Sequence, residues 1–127
     1  MIQISARQWD QLGQGSFASR LIALIRERHP RQAASVTDAH FNAEIARQVV
    51  KAKAYGLSDD QSAATYVYTA WLLGPDFDAR IPALRQILRE PSMSAPAKAQ
   101  ALINFSLTVF HTLDGGDAST QTPAGEA

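Results

Sequence analysis

One helix is punctuated at both ends between Tyr55 and Asp78, and the rest of the chain must be built around it. Tyr55-Gly56 supplies the stop before it, because glycine enters the left-handed region without steric cost. Ser58-Asp59-Asp60-Gln61 fits a capping box in which Ser58 and Gln61 satisfy each other's backbone donors. Ala64, Val67, Tyr68, Trp71 and Leu72 then keep helical spacing until Gly74-Pro75, which cannot continue a helix. At about 100° per residue, Tyr66 points away from Tyr68, so one narrow stripe does not bury both. Either this helix is central and covered on several sides, or part of its aromatic surface meets a partner.

The remaining periodicity is also helical. Phe17, Leu21, Leu24 and Ile25 share a helix face, with Ser16 as N-cap and an end near His29, because Pro30 disfavours helical geometry in the residue before it. A short helix over residues 5–12 precedes it. Thr37 caps a third helix carrying Phe41, Ile45, Val49 and Ala52, with Asp38 favourable at the positive end of its dipole. Ile81, Leu84, Ile87 and Leu88 mark a short helix closed near Pro91. The last helix opens around Ser94 to Pro96 and runs through Leu102, Phe105, Val109 and Phe110 to about Leu113. Ile2 and Ile4 alternate like a strand, but nothing is available to pair with them. The expected fold is all-α, a single compact bundle of five to six helices over residues 1–113, followed by a disordered tail over 114–127.

Composition narrows the function classes. At 127 residues, 46% of them hydrophobic, the chain is long enough for one core and short for two. It has no cysteine, which removes disulfides, thiolate nucleophiles and cysteine zinc sites together. Twelve basic residues balance twelve acidic ones, which argues against a surface for nucleic acid or anionic membrane. Residues 1–55 hold eight Lys/Arg against four Asp/Glu and residues 56–127 hold four against eight, giving +4 and −4; opposite halves would attract weakly or orient a partner, but chance and solvated helix faces explain the asymmetry better. The start has no basic segment followed by an apolar run, and no stretch approaches the roughly 20 apolar residues of a membrane span, so a soluble cytoplasmic protein is expected.

Catalytic and metal patterns are weak. His29, His40 and His111 share no ligand spacing with one another or with a carboxylate, and no cofactor or metal is expected. Asp76 and Asp78 can offer two carboxylates, fewer than a calcium loop needs, so a turn that folds Phe77 into the core and lets Asp78 cap the next helix explains the segment better. The serines lie at helix starts or in the tail, and Gly13-Gln14-Gly15-Ser16 lacks the Gly-Lys-Ser/Thr ending of a phosphate loop. Arg47, Lys51 and Lys53 are too few for a recognition helix.

The segments Met1-Ile2-Gln3-Ile4-Ser5-Ala6-Arg7-Gln8, Leu24-Ile25-Arg26-Glu27-Arg28-His29-Pro30, Ala54-Tyr55-Gly56-Leu57-Ser58 and Gly74-Pro75-Asp76-Phe77-Asp78 with Ile87-Leu88 resemble a family of small helical proteobacterial proteins encoded near effectors of contractile (type VI) secretion systems. The resemblance spans roughly residues 1–90 and carries no catalytic residues. It implies an accessory, chaperone, adaptor or immunity-like role beside a secreted effector. The leading expectation is a non-enzymatic protein-interaction module that binds through Tyr66, Tyr68, Trp71, Asp76, Phe77 and Asp78, or hides that patch in a homodimer. The alternative is a small-molecule or metal-dependent enzyme using Asp76, Asp78 and a histidine brought close by folding.

Overall fold

A computed structural model describes residues 16–115, with side chains described through residue 109. The expected helix over residues 5–12 and nearly all of the tail lie outside the described residues, as does the side chain of His111. Among the described residues seven helices follow one another: α1 (Phe17–Arg28), α2 (Pro30–Ala33), α3 (Asp38–Ala54), α4 (Asp60–Leu73), α5 (Phe77–Arg80), α6 (Pro82–Leu88) and α7 (Ala95–Gly115). The fold is all-α, and no strand occurs among the described residues. The single turns α2 and α5 are additions to the elements read from periodicity, since four residues are too short to show any.

Side-chain caps place the helix starts. Ser16 Oγ accepts from the Ser19 amide at 3.1 Å and Thr37 Oγ1 from the His40 amide at 3.1 Å, as their positions predict. α4 departs from the expected box: Asp59, not Ser58, is the N-cap, its Oδ2 accepting from the Ser62 amide at 3.0 Å. The shift by one residue follows from how α3 ends. Gly56 stands at φ +89°, its amide bonds to the Lys53 carbonyl, and the Leu57 amide reaches back to Ala52 at 2.9 Å. That double closure is a Schellman motif, which ties Leu57 down, fully buried, and leaves Ser58 as an exposed link.

α4 is the axis of the molecule. Every residue from Ser62 to Ala70 is buried, so the helix is covered all round. Ala64, Val67 and Tyr68 belong to one core with Leu21, Leu24 and Ile25 of α1 and Phe41 and Ile45 of α3. Ala63, Tyr66 and Ala70 belong to a second core with Phe77, Leu84, Leu88 and Leu102. Two of its buried hydroxyls are satisfied locally: Thr65 and Thr69 donate to the carbonyls of Gln61 and Thr65, one turn back.

Two cations brace the connections. Arg26 donates to the carbonyls of Ala33 and Val36, both at 2.9 Å, pairs with Asp38 at 2.7 Å and lies 5.0 Å from the Phe41 ring centre, holding the α1 to α3 connection in place. Lys98, only 8% exposed, donates to the Tyr55 carbonyl at 3.0 Å and to the Leu88 carbonyl at 2.8 Å. It places a positive charge at the ends of α3 and α6, where the orphan carbonyls and the dipole favour it.

Candidate functional site

A cleft of about 220 Å³ lies between α3 and the end of α4. Ile25 of α1, Phe41 and Ile45 of α3, and Val67, Ala70 and Trp71 of α4 form apolar walls, while His40, Glu44 and Gln48 bring polar groups along the α3 side. The Gly74-Pro75 turn closes one end. Trp71 is only partly buried and packs on Phe41, with ring centres 5.4 Å apart, so its surface belongs partly to the core and partly to the cleft.

The α3 side chains reach this arrangement through helical spacing. Glu44 and Gln48 are one turn apart, and Gln48 Nε2 donates to Glu44 Oε2 at 2.7 Å and to the Pro75 carbonyl at 3.1 Å. Arg47 donates to the same Glu44 oxygen at 2.8 Å. Burial pushes the Glu44 carboxyl up, but the hydrogen bonds from Gln48 and Arg47 outweigh it and hold the group below its ordinary value. Gln48 itself is fully buried, and its Oε1 receives no hydrogen bond.

The turn is fastened from the same helix. Lys51 Nζ donates to the Pro75 carbonyl at 3.0 Å and to Asp78 Oδ1 at 2.8 Å, and Tyr55 Oη donates to Asp78 Oδ2 at 2.8 Å. Asp78 is 7% exposed and has both oxygens occupied, so it serves as an anchor for α5 and does not cap α6. Ile81 is the N-cap of α6, with no side-chain bond and Pro82 in the first turn. Lys51 and Asp78 also join the basic and acidic halves of the sequence.

The residues singled out from sequence divide into three groups. Tyr66, Tyr68 and Phe77 are interior, between 0% and 1% exposed: the Tyr66 ring packs at a tilt on Phe77, centres 5.0 Å apart, in one core, and Tyr68 Oη meets His29 Nε2 at 2.8 Å in the other. They present no patch to a partner, because the α4 faces that carry Tyr66 and Tyr68 are both enclosed and Phe77 of α5 is itself buried against Tyr66. Asp76 is exposed with no side-chain capping bond, while Asp78 turns inward to Lys51 and Tyr55. Trp71 alone of the six lines the cleft. The sequence reading missed His40, Glu44 and Gln48 as site residues; the Glu44/Gln48 pair one turn apart was the available signal.

No three His, Asp or Glu side chains among the described residues form a group that could hold a metal ion. No described helix is long and apolar enough to cross a membrane. Comparison with protein-family models, curated proteins and solved structures finds no match for the chain.

Proposed function

We propose that the protein is a non-enzymatic helical interaction module that seats one side chain of a protein partner in the cleft between α3 and α4. The observation that carries this reading is the partly exposed Trp71 at the edge of a small apolar cleft with a carboxylate on one side. Aromatic anchors flanked by polar groups are typical of interaction hot spots. The volume, about 220 Å³, is below the roughly 300–1,000 Å³ of ordinary small-molecule pockets and suits one side chain better than a cofactor. The resemblance of residues 1–90 to helical proteins encoded beside secretion effectors points to a secreted effector as the partner and to an accessory, chaperone, adaptor or immunity-like role.

The two-carboxylate enzyme reading has no geometric support, because Asp78 is fully engaged by Lys51 and Tyr55 while Asp76 remains on the surface.

The test is photo-crosslinking in the native host with p-benzoylphenylalanine in place of His40, which is exposed and lines the cleft, and in place of Leu107, which is exposed on α7. One heterologous protein captured from position 40, absent from position 107 and lost when Trp71→Ala is added to a chain of unchanged helicity, is the expected result. Equal capture from both positions, or capture only of a second copy of the chain, overturns it.

A further inference from the structure

We propose that the partner side chain seated in this cleft is a lysine, its alkyl stem against Phe41, Val67 and Trp71 and its ammonium on Glu44 Oε1. This rests on the reading of the cleft as the partner-binding surface and specifies its occupant.

Three features select this chemistry. The walls are aliphatic and aromatic, which suits a long methylene stem, and the charged group at their polar side is a carboxylate. Gln48 and Arg47 both donate to Glu44 Oε2, and no described residue donates to Oε1, so the carboxylate keeps one acceptor oxygen. The Gln48 amide nitrogen is committed to Glu44 Oε2 and the Pro75 carbonyl, so it does not compete for Oε1. A partner carboxylate or phosphate placed here meets the Glu44 charge. A neutral apolar side chain leaves Glu44 Oε1 without a donor and strips water from it.

Lysine fits better than arginine for a geometric reason. A guanidinium gains most from two coplanar acceptor oxygens, and one of the two on Glu44 is already occupied. An ammonium is a compact point charge that gains from a single carboxylate oxygen without needing a coplanar second one. The neighbouring cations do not fill this role: Lys51 is held by Asp78 and the Pro75 carbonyl, and the Arg47 side chain, 54% exposed, pairs with Glu44 as an i,i+3 surface ion pair of small worth.

The experiment is an NMR titration of the full ¹⁵N-labelled chain with n-butylammonium, n-butanol and butyrate. Butylammonium is expected to shift the Trp71 indole, Ala70, Gly74 and the Gln48 side-chain amide, with butanol about tenfold weaker and butyrate without effect. Glu44→Gln is expected to bring butylammonium down to the level of butanol and to leave butanol unchanged. Equal binding of all three probes, or a butylammonium affinity that survives Glu44→Gln, overturns the lysine assignment and leaves an apolar seat. The absence of any butylammonium shift in the cleft also overturns it. The broader reading is then judged separately, by whether crosslinking from position 40 still captures a partner.

Discussion

Tyr55 and Asp78 stand 23 positions apart in sequence and 2.8 Å apart in space, Tyr55 Oη donating to Asp78 Oδ2. Lys51 reaches the other carboxylate oxygen from one turn earlier on the same helix, so the end of α3 grips α5 through a single, nearly buried carboxylate. The grip fixes the Gly74-Pro75 turn, and the turn closes the cleft. Stability and site geometry therefore share these contacts.

Replacing Asp78 with Asn leaves the Lys51 ammonium without its charge partner and is expected to cost about 2 kcal/mol, read from urea denaturation at neutral pH. The cost has a pH signature. Burial pushes the Asp78 carboxyl up, but the hydrogen bonds from Lys51 and Tyr55, together with the Lys51 charge, outweigh it and hold the group below its ordinary value. A depressed folded value means that the contribution is fully present above an unfolded pKa of about 4 and is lost as pH falls through the lower folded value. Denaturation midpoints below about pH 4 should fall less steeply in Asp78→Asn than in the parent chain. Parallel curves would separate Asp78 from acid unfolding.

His29 sits at the rim of the first core, 2.8 Å from Tyr68 Oη and beside the Trp71 ring. Burial chiefly, with the charge of Arg28 adding to it, lowers its pKa and favours the neutral ring. The corresponding stability is present above an unfolded value of about 6.5 and is lost as pH drops from there to the lower folded value. An NMR titration should place the His29 midpoint below that of a denatured reference; a midpoint at or above the reference contradicts this account.

Tyr66 Oη is buried without a hydrogen-bond partner, and desolvation together with the Asp78 charge raises its pKa. Tyr66→Phe removes an unsatisfied hydroxyl and keeps the ring against Phe77, so stability should stay within about 0.5 kcal/mol of the parent or rise. A loss above about 1.5 kcal/mol would mean that the hydroxyl has a partner in solution. Partner capture should be unaffected, since the side chain is fully covered.

The two left-handed glycines should respond differently to alanine. Gly56 stands at φ +89° with open space where a Cβ would lie, so Gly56→Ala is expected to cost about 1 kcal/mol of backbone strain. Gly74 combines φ +113° with ψ 151°, a region essentially confined to glycine, and a Cβ there would come within 3.3 Å of Arg80 Nη1. The arginine end can swing away, but the backbone cannot, so Gly74→Ala should cost about 2 kcal/mol or more and loosen the end of the cleft. Thermal unfolding of the pair checks the order, and equal losses would contradict it.

Much of the helical frame was legible because its signals are local. Ser16, Thr37, Pro30 and Tyr55-Gly56 act within one turn of where they stand, so their residue types alone place the ends of α1 and α3. Ser58 failed as a cap because Asp59 offers an overlapping pattern one residue later, and only the fold of Leu57 into the core decides between them. The aromatic residues of α4 showed that no single stripe suffices; which sides are covered depended on α7 and α3 packing from two directions. The site was less legible. Gln48 to Pro75 and Lys51 to Asp78 each span 27 positions, and no periodicity reports a contact of that range.

The central claim, that the surface between Trp71 and Glu44 is the one a partner uses, is tested most directly by mapping the captured partner onto the ¹⁵N-labelled chain by NMR. Line broadening or shifts concentrated at His40, Glu44, the Gln48 side chain, the Trp71 indole and Gly74 are the predicted result. A binding partner that perturbs Val50 or Leu107 on the outer faces of α3 and α7, while these cleft signals stay in place, would contradict it.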